Sequence, residues 1–260
     1  MDLKLTDNVV VVTGGAKGIG KGIVLTLAAE GAIPVIVGRR QSDNLLVQQE
    51  VEDNGGKAFC VEAELTRPED CERAVKQTLA QFGRIDGLVN NAGVNDGVGL
   101  ENGGYQQFVD SLHKSLIHYY LMAHHALPAL KERKGSIVNI GSKTAETGQG
   151  NTSGYAAANG GRNALTREWA VELLKDGVRV NSVIVAECYT PLYDTWISSL
   201  LNPQETLSKI TQRIPLGHRM TSVEEIADMV VFLLSTRSSH TTGQLIHVDG
   251  GYVHLDRAID

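Results

Sequence analysis

Two hydroxyl-bearing residues in the middle of the chain have the spacing of a proton-exchanging pair. Ser142 follows an apolar run at residues 136–140 that predicts a strand, and Tyr155 lies thirteen residues later, at the start of a long predicted helix. A hydroxyl at the carboxyl end of a strand and a phenol one turn into the next helix can meet over one crevice. There they can orient a substrate hydroxyl and exchange its proton. Single Ser and Tyr residues are also common in cores and on surfaces, so the pair alone decides nothing.

A glycine-rich turn near the N-terminus has the composition of a phosphate site. Residues 9–20 read VVVVTGGAKGIG, and the four β-branched valines predict a strand that is buried on both faces. Gly14, Gly18 and Gly20 lead into a helix, whose N-terminus offers free N–H groups and a positive dipole end to an anion. Glycine turns are also plain connectors. Strand, turn and helix together favour a dinucleotide site.

The end of the second predicted strand distinguishes between two dinucleotides. A NAD site usually has an acidic residue there, which accepts the ribose 2′-hydroxyl, whereas this chain has Gly38, Arg39 and Arg40. Arg39 supplies a guanidinium where a 2′-phosphate would lie, and Lys17 in the glycine turn is a second cation. The alternative is a solvated arginine pair at a strand end. The pattern favours NADP, with NAD as the less favoured cofactor.

The sequence from Asn90 to Gly93 follows the fourth predicted strand and reads NNAG. Asparagine side chains can hold backbone groups where a strand breaks, and small residues leave room for a ring. A simple turn would have the same composition.

These residues need a scaffold that brings strand ends together, and the hydrophobic pattern predicts one. Strand and helix patterns alternate along the whole chain, which predicts a single-domain doubly wound α/β Rossmann fold with a seven-stranded parallel sheet over residues 1–260. Strands are predicted at residues 9–12, 33–37, 57–61, 86–90, 136–140, 178–184 and 245–248, and helices at 19–30, 42–53, 67–81, 105–133 in two pieces, 153–175 and 223–235. Residues 191–212 predict an irregular helical segment within a substrate-covering insertion at 186–215.

Composition excludes several classes of function. The chain has 260 residues, 42% hydrophobic and 21% charged, with a net charge of −6, which argues against nucleic acid or an anionic membrane as a partner. No signal peptide and no membrane-spanning run is visible, so a cytoplasmic location is the default expectation. Cys60, Cys71 and Cys188 contain no Cys-x-x-Cys pair, which predicts neither a disulfide framework nor a metal site.

The motifs together resemble those of the short-chain dehydrogenase/reductase family. The resemblance rests on the glycine turn, the NNAG sequence, the Ser142 and Tyr155 pair, and the C-terminal segments 215–217, 224–227, 242–243 and 248–251, so it covers nearly the whole chain. Within this family, the segments 142–158, 165–173, 186–197 and 248–258 resemble bacterial sugar dehydrogenases that act on L-fucose. The resemblance also implies a homotetramer or homodimer.

The resemblance implies a role for each matching residue. Tyr155 would be the general base, Ser142 would hold the substrate oxygen, and Thr190 would bond the nicotinamide carboxamide. The cofactor site would comprise Gly14, Lys17, Gly18, Ile19, Gly20, Arg39, Glu64, Leu65, Asn90, Ala92, Gly93 and Thr190, with Glu64 at the adenine. Glu187, Tyr193 and Trp196 lie in the substrate-covering segment, where they would bond and stack on a sugar; plain packing of that segment is the alternative.

Three positions depart from the family pattern. Asn159 stands where the family has a lysine four residues after the tyrosine, Ser115 replaces a helix asparagine that holds a relay water, and Val185 replaces a proline. The lysine matters most, because only about one free phenol in a thousand is ionised at pH 7. Asn159 can still bond ribose hydroxyls but supplies no charge. Lys143 is a possible substitute, and Asn159→Lys is predicted to raise activity.

The leading hypothesis is therefore an NADP-dependent oxidoreductase that oxidises a small-molecule sugar, an L-fucose-like pyranose, to the lactone. The departures at residues 115, 159 and 185 keep two alternatives open. One is a catalytically silent protein of this fold that binds NADP or a sugar. The other is an enzyme redirected to different proton chemistry that uses Tyr155 and Glu187.

Overall fold

A parallel seven-stranded sheet runs through the molecule, which confirms the predicted fold class. The computed structural model describes residues 1–255; Asp256 to Asp260, at the end of the predicted domain and of the segment 248–258, lie outside the described residues. The strands are β1 (Val9–Thr13), β2 (Ile33–Gly38), β3 (Phe59–Glu62), β4 (Gly87–Asn90), β5 (Ser136–Ser142), β6 (Arg179–Val185) and β7 (Leu245–Val248). Their spatial order is β3-β2-β1-β4-β5-β6-β7, and every recorded pair is parallel. The order reverses direction between β1 and β4, which opens a crevice at the carboxyl ends of the strands.

Helices cover both faces of the sheet, and this explains the run of valines in β1. The helices are α1 (Gly18–Ala29), α2 (Gln41–Asp53), α3 (Pro68–Phe82), α4 (Tyr105–Leu112), α5 (His118–Arg133), α6 (Ser153–Glu172), α7 (Pro191–Ser198), α8 (Pro203–Thr211) and α9 (Val223–Leu234). Val9 and Val11 pack in the core beneath α3, α5 and α6, whereas Val10 and Val12 pack in the core beneath α1, α2 and α9. Successive strand residues point to opposite faces, so a strand that is covered twice needs apolar residues throughout.

Several element boundaries differ from those predicted. The two pieces predicted within 105–133 are α4 and α5, joined by a π-helical segment from His113 to Ile117. The predicted helix 153–175 ends at Glu172, because a separate 3₁₀ turn follows it and Gly177 then takes a left-handed conformation with φ of 71°. The predicted irregular segment 191–212 forms two regular helices, α7 and α8, each with a proline in its first turn. In residues 1–255, we find no helix with the length and apolar character that crossing a bilayer requires.

Candidate functional site

The glycine turn folds tightly between β1 and α1. Gly14 and Gly18 have φ of 65° and 50°, in the left-handed region that favours glycine. A Cβ on Gly20 would lie 2.1 Å from the carbonyl oxygen of Gly14, so no larger residue fits there. These approaches bring the start of α1 directly against the end of β1.

The N-terminus of α1 is free to receive an anion. Lys17 precedes the helix without a side-chain cap, and the first turn, where Ile19 is half-buried, has no acidic residue. The first amides of a helix have no partner within it. Thr190 packs against the other side of the turn: a Cβ placed on Gly18 would lie 3.3 Å from its side chain. The Thr190 hydroxyl accepts a hydrogen bond from the backbone N–H of Tyr193 at 3.2 Å. These features fit a pyrophosphate group.

The end of β4 is tied to the glycine turn by two residues that sequence reasoning did not assign to the site, Thr13 and Asn91. The Asn91 amide donates to the carbonyl oxygens of Thr13 and Gly14 at 2.9 and 3.3 Å. The Thr13 hydroxyl accepts from the backbone N–H groups of Asn91 and Ala92 at 2.8 and 3.1 Å. Asn90 is fully buried and donates to Asn139 at 3.0 Å, so its amide joins β4 to β5. The asparagines thus hold backbone and strand ends, as their position predicts.

The end of β2 carries more positive than negative charge. The Lys17 ammonium lies 2.9 Å from the Asp43 carboxylate, and Arg40 lies 3.3 Å from the same carboxylate, whereas Arg39 is exposed beside them. A Cβ on Gly38 would lie 2.4 Å from the Asn44 amide oxygen, so the acidic residue typical of NAD sites would require the Asn44 side chain to move.

Glu64, the predicted adenine contact, bonds a neighbouring residue in the structure. Glu64 follows β3, and its carboxylate accepts from the hydroxyl of Thr66 at 3.0 Å. Leu65 is buried beside it.

Ser142 and Tyr155 occupy neighbouring elements at the crevice. Ser142 ends β5, and the 3₁₀ turn that follows it (Lys143–Ala145) packs against α6, which begins two residues before Tyr155. The Ser142 hydroxyl accepts from the N–H and hydroxyl groups of Thr144 at 3.3 and 3.1 Å, so its own proton is available to a ligand. The fold therefore brings together the two elements that carry the predicted pair.

Asn159 is bonded inside its own helix. Its amide nitrogen donates to the Tyr155 carbonyl oxygen at 2.9 Å, and its amide oxygen accepts from Arg162 at 3.0 Å. The side chain is fully buried. Each polar atom of Asn159 thus has one partner within α6, and a bond from Asn159 to the ribose stays a prediction.

Arg162 is a site residue that sequence reasoning missed. Its side chain is only 3% exposed, and its Nε donates to the carbonyl oxygen of Ser115 at 2.7 Å. The guanidinium carbon is 5.9 Å from the centre of the Tyr155 ring. The missed signal was periodicity, since residues 155, 159 and 162 share one helix face and a basic residue there faces the interior. Ser115 itself lies in the π-helical segment, where its hydroxyl donates to the Val94 carbonyl oxygen at 3.1 Å.

Lys143 does not replace the family lysine, because it pairs with Glu187. The two buried side chains form an ion pair, and the ammonium lies 4.1 Å from the centre of the Tyr252 ring. The Tyr193 hydroxyl is buried next to the Glu187 carboxylate; burial, the charge of that carboxylate and a hydrogen bond to it raise the pKa of Tyr193. Trp196 packs edge-on against Tyr193 at 5.1 Å and is 45% exposed. The three predicted substrate residues thus cluster beside Lys143.

A second polar group lies on the loop after β5. The Glu146 carboxylate is 3.2 Å from the Nε2 atom of His247 and 3.9 Å from that of His254. These contacts join the loop to β7 and to the C-terminal turn.

Comparison with known proteins decides the family. Residues 14–253 match a family profile described as enoyl-(acyl carrier protein) reductase, adh_short_C2. The chain belongs to the short-chain dehydrogenase/reductase family. It is 34% identical over 252 residues to L-fucose dehydrogenase of Bos taurus, covering 96% of this chain and 91% of that protein.

Two further relatives show how broad this family is. The chain is 34% identical to 3-oxoacyl-[acyl-carrier-protein] reductase FabG of Thermotoga maritima, covering 96% of this chain and all of that protein. The crystal structure of Cj0485 dehydrogenase superposes with a TM-score of 0.94 at 46% identity, covering 100% of this chain and 99% of that one. Members of the family are oxidoreductases that use NAD(P), and the uncapped start of α1 fits that cofactor.

His118, which lies close to Arg162, should make the stability of the fold pH-dependent. Its Nε2 lies 3.1 Å from the Lys114 carbonyl oxygen, and burial together with the Arg162 charge lowers its pKa to about 3. A lowered pKa means that its contribution to stability is fully present above pH 6.5 and is lost as the pH falls toward 3. From pH 7 to pH 5, the free energy of unfolding should fall by about 2 kcal/mol more in the parent than in His118→Gln. Urea titrations of both proteins measure this; equal falls would contradict it.

Proposed function

We propose that this short-chain dehydrogenase/reductase oxidises a sugar hydroxyl with NADP, converting an L-fucose-like pyranose to its lactone. The observation that carries the proposal is a cluster of polar groups beside the ends of β5 and β6: the buried Tyr193 hydroxyl next to the Glu187 carboxylate, and the Lys143–Glu187 pair. Polar groups that are buried are normally hydrogen-bonded, so a cluster of this kind suits a ligand that is rich in hydroxyls. The L-fucose dehydrogenase relatives support the same substrate class. An acyl chain, as in the name of the FabG relative, would offer these polar groups no hydrogen bonds.

The chemistry divides between two hydroxyls of the chain and the cofactor. The free proton of Ser142 bonds the substrate oxygen and fixes its position. Tyr155, as phenolate, accepts the proton of the substrate O–H, and the electrons of that bond form the new carbonyl. A bound nicotinamide supplies the acceptor for the hydride that leaves the same carbon. Glu187 and Tyr193 hold other hydroxyls of the ring, and Trp196 offers a stacking face within the proposed substrate-covering insertion at 186–215.

A screen of aldoses tests the function. Initial rates are measured with L-fucose, with other aldoses and with a 3-oxoacyl thioester, each with both cofactors. We expect turnover of L-fucose-like sugars and none of the thioester. Preferential turnover of the thioester would overturn the substrate class, and cofactor binding without any turnover would favour the catalytically silent alternative.

The preference for NADP should depend on Arg39. Arg40 is already 3.3 Å from Asp43, whereas Arg39 makes no ion pair among residues 1–255, so Arg39→Ala is the test and Arg40→Ala its matched control. Charge-assisted bonds to a phosphate contribute about 1.5–3 kcal/mol, so Arg39→Ala should weaken NADP binding about tenfold or more and leave NAD binding unchanged. Calorimetric titration measures both affinities. Equal affinity of the parent for the two cofactors would contradict the proposal.

We also propose a homotetramer or homodimer. Of the small residues on α6 that favour close packing, Ala158 is buried within the chain, whereas a Cβ on Gly160 would face open space. β7 is half-buried and forms an edge of the sheet. Light scattering at micromolar concentration measures the state, and a monomer would contradict the proposal.

A further inference from the structure

The structure holds a buried positive charge beside Tyr155 that comes from a different position than the family lysine. We propose that the Arg162 guanidinium replaces that lysine: it stabilises the phenolate of Tyr155 and holds the elements around it in register. This inference rests on the proposed proton transfer to Tyr155. Arg162 acts through the tyrosine and is a positioning residue.

The contacts of Arg162 reach each element of the site. Its Nε donates to Ser115, in the π-helical segment, at 2.7 Å. Its Nη1 donates to the Ile140 carbonyl oxygen at 3.1 Å, two residues before Ser142, and to Asn159 at 3.0 Å. One side chain therefore links two positions that correspond to catalytic residues of the family, 115 and 159, to the strand that ends at Ser142.

The charge of Arg162 is not cancelled by an acidic neighbour. Its recorded partners are two backbone carbonyl groups and one amide, and in residues 1–255 no carboxylate forms an ion pair with it. The guanidinium lies 4.2 Å from the centre of the Tyr119 ring and 5.9 Å from that of Tyr155. Charges in a buried site are screened less than in water, so the guanidinium stabilises a nearby anion across several ångströms.

The last donor of Arg162 points toward the cofactor side. Within the described chain, its Nη2 is buried without a hydrogen-bond partner, and a Cβ on Gly93 would lie only 2.7 Å from it. A buried donor that lacks a partner costs free energy unless a ligand or water receives its bond. Gly93 of the NNAG sequence thus leaves room for the guanidinium at the crevice edge.

Two titratable groups near Arg162, His118 and Tyr119, stay neutral around pH 7. Burial lowers the pKa of His118 to about 3 and raises the pKa of Tyr119 above its usual range. Lys143 and Glu187, at the substrate side, are paired with each other.

The experiment moves the charge from one position to the other. Arg162→Met removes the charge, Arg162→Lys keeps it in smaller form, and Arg162→Met with Asn159→Lys puts it at the family position. We expect Arg162→Met to lower kcat at neutral pH about tenfold or more, with the deficit shrinking at alkaline pH. The double variant should recover much of the loss, and Arg162→Lys should lie between. Asn159→Lys alone should give no gain, because it sets a second cation against the guanidinium; this replaces the gain predicted from the sequence.

A measurement that needs no substrate distinguishes a failure of this proposal from a failure of the proposed function. Ultraviolet difference titration follows tyrosinate formation, and Tyr155→Phe identifies the signal of Tyr155. We expect that signal to appear at higher pH in Arg162→Met than in the parent. An unchanged titration, or a loss of kcat by the same factor at every pH with cofactor binding intact, would overturn the role of Arg162. If the parent oxidises no sugar, the proposed function fails, and the titration still decides the role of Arg162.

Discussion

Replacing Tyr155 with phenylalanine should lower kcat for sugar oxidation by about 10²–10⁴, the usual contribution of a general acid–base group. The half-buried ring keeps its place on α6, because the variant lacks only the oxygen that accepts the substrate proton. The affinity for the cofactor should stay within about twofold, since the glycine turn and the start of α1 are unchanged. Stopped-flow or steady-state rates and calorimetric titration measure the two quantities.

Tyr105→Phe is the matched control for that variant. Tyr105 begins α4, is 84% exposed and makes no recorded side-chain hydrogen bond within residues 1–255, so its loss should leave kcat unchanged. Retention of more than about a tenth of the parent kcat in Tyr155→Phe would mean that another group takes the proton.

Removing one member of the Lys143–Glu187 pair should lower the free energy of unfolding more than removing both members. Their side chains are 9% and 11% exposed, so Lys143→Met leaves a buried carboxylate without its partner. Removing one member of a buried pair costs about 3–5 kcal/mol in the free energy of unfolding, whereas replacing both with apolar residues is often neutral. We therefore expect the double variant with Lys143→Met and Glu187→Leu to recover most of the stability. Urea denaturation of the parent, the single variants and the double variant measures this.

The same double variant shows whether the Lys143–Glu187 pair only stabilises the fold or also binds the sugar. If Glu187 bonds the sugar, the double variant should be stable yet raise KM for the sugar about tenfold or more, while its affinity for the cofactor is kept. A stable double variant with the parent KM would show that the pair only supports packing. A double variant as unstable as Lys143→Met would contradict the energetic argument.

The local hydrophobic pattern was sufficient to predict secondary structure where residues close in sequence determine it. The valine run of β1 predicted a strand covered on both sides, and the structure places alternate valines in two cores. The breaks near residues 113–117 and 173–177 were less predictable. A π-helical turn and a short 3₁₀ turn change a helix by single hydrogen bonds, which the periodicity of apolar residues does not record.

The partners of charged side chains could not be predicted from local sequence patterns. Lys143 lies one residue after Ser142, and sequence position alone left it as a possible substitute for the lost lysine. The structure pairs it with Glu187, 44 residues away. Lys17 was similarly expected beside a phosphate, and in the structure its ammonium contacts Asp43.

Residue types at short, regular spacing were enough to predict the parallel sheet, the glycine turn between β1 and α1, and the placement of Ser142 and Tyr155 on neighbouring elements. The neighbours of Asn159, in contrast, became visible only in the folded chain. Arg162 bonds Ser115 and Ile140, which are 47 and 22 residues away along the chain. Whether a buried guanidinium lies beside a phenol depends on how a helix packs against a π-helical segment and a strand end, and the side-chain pattern of that helix alone does not specify those neighbours.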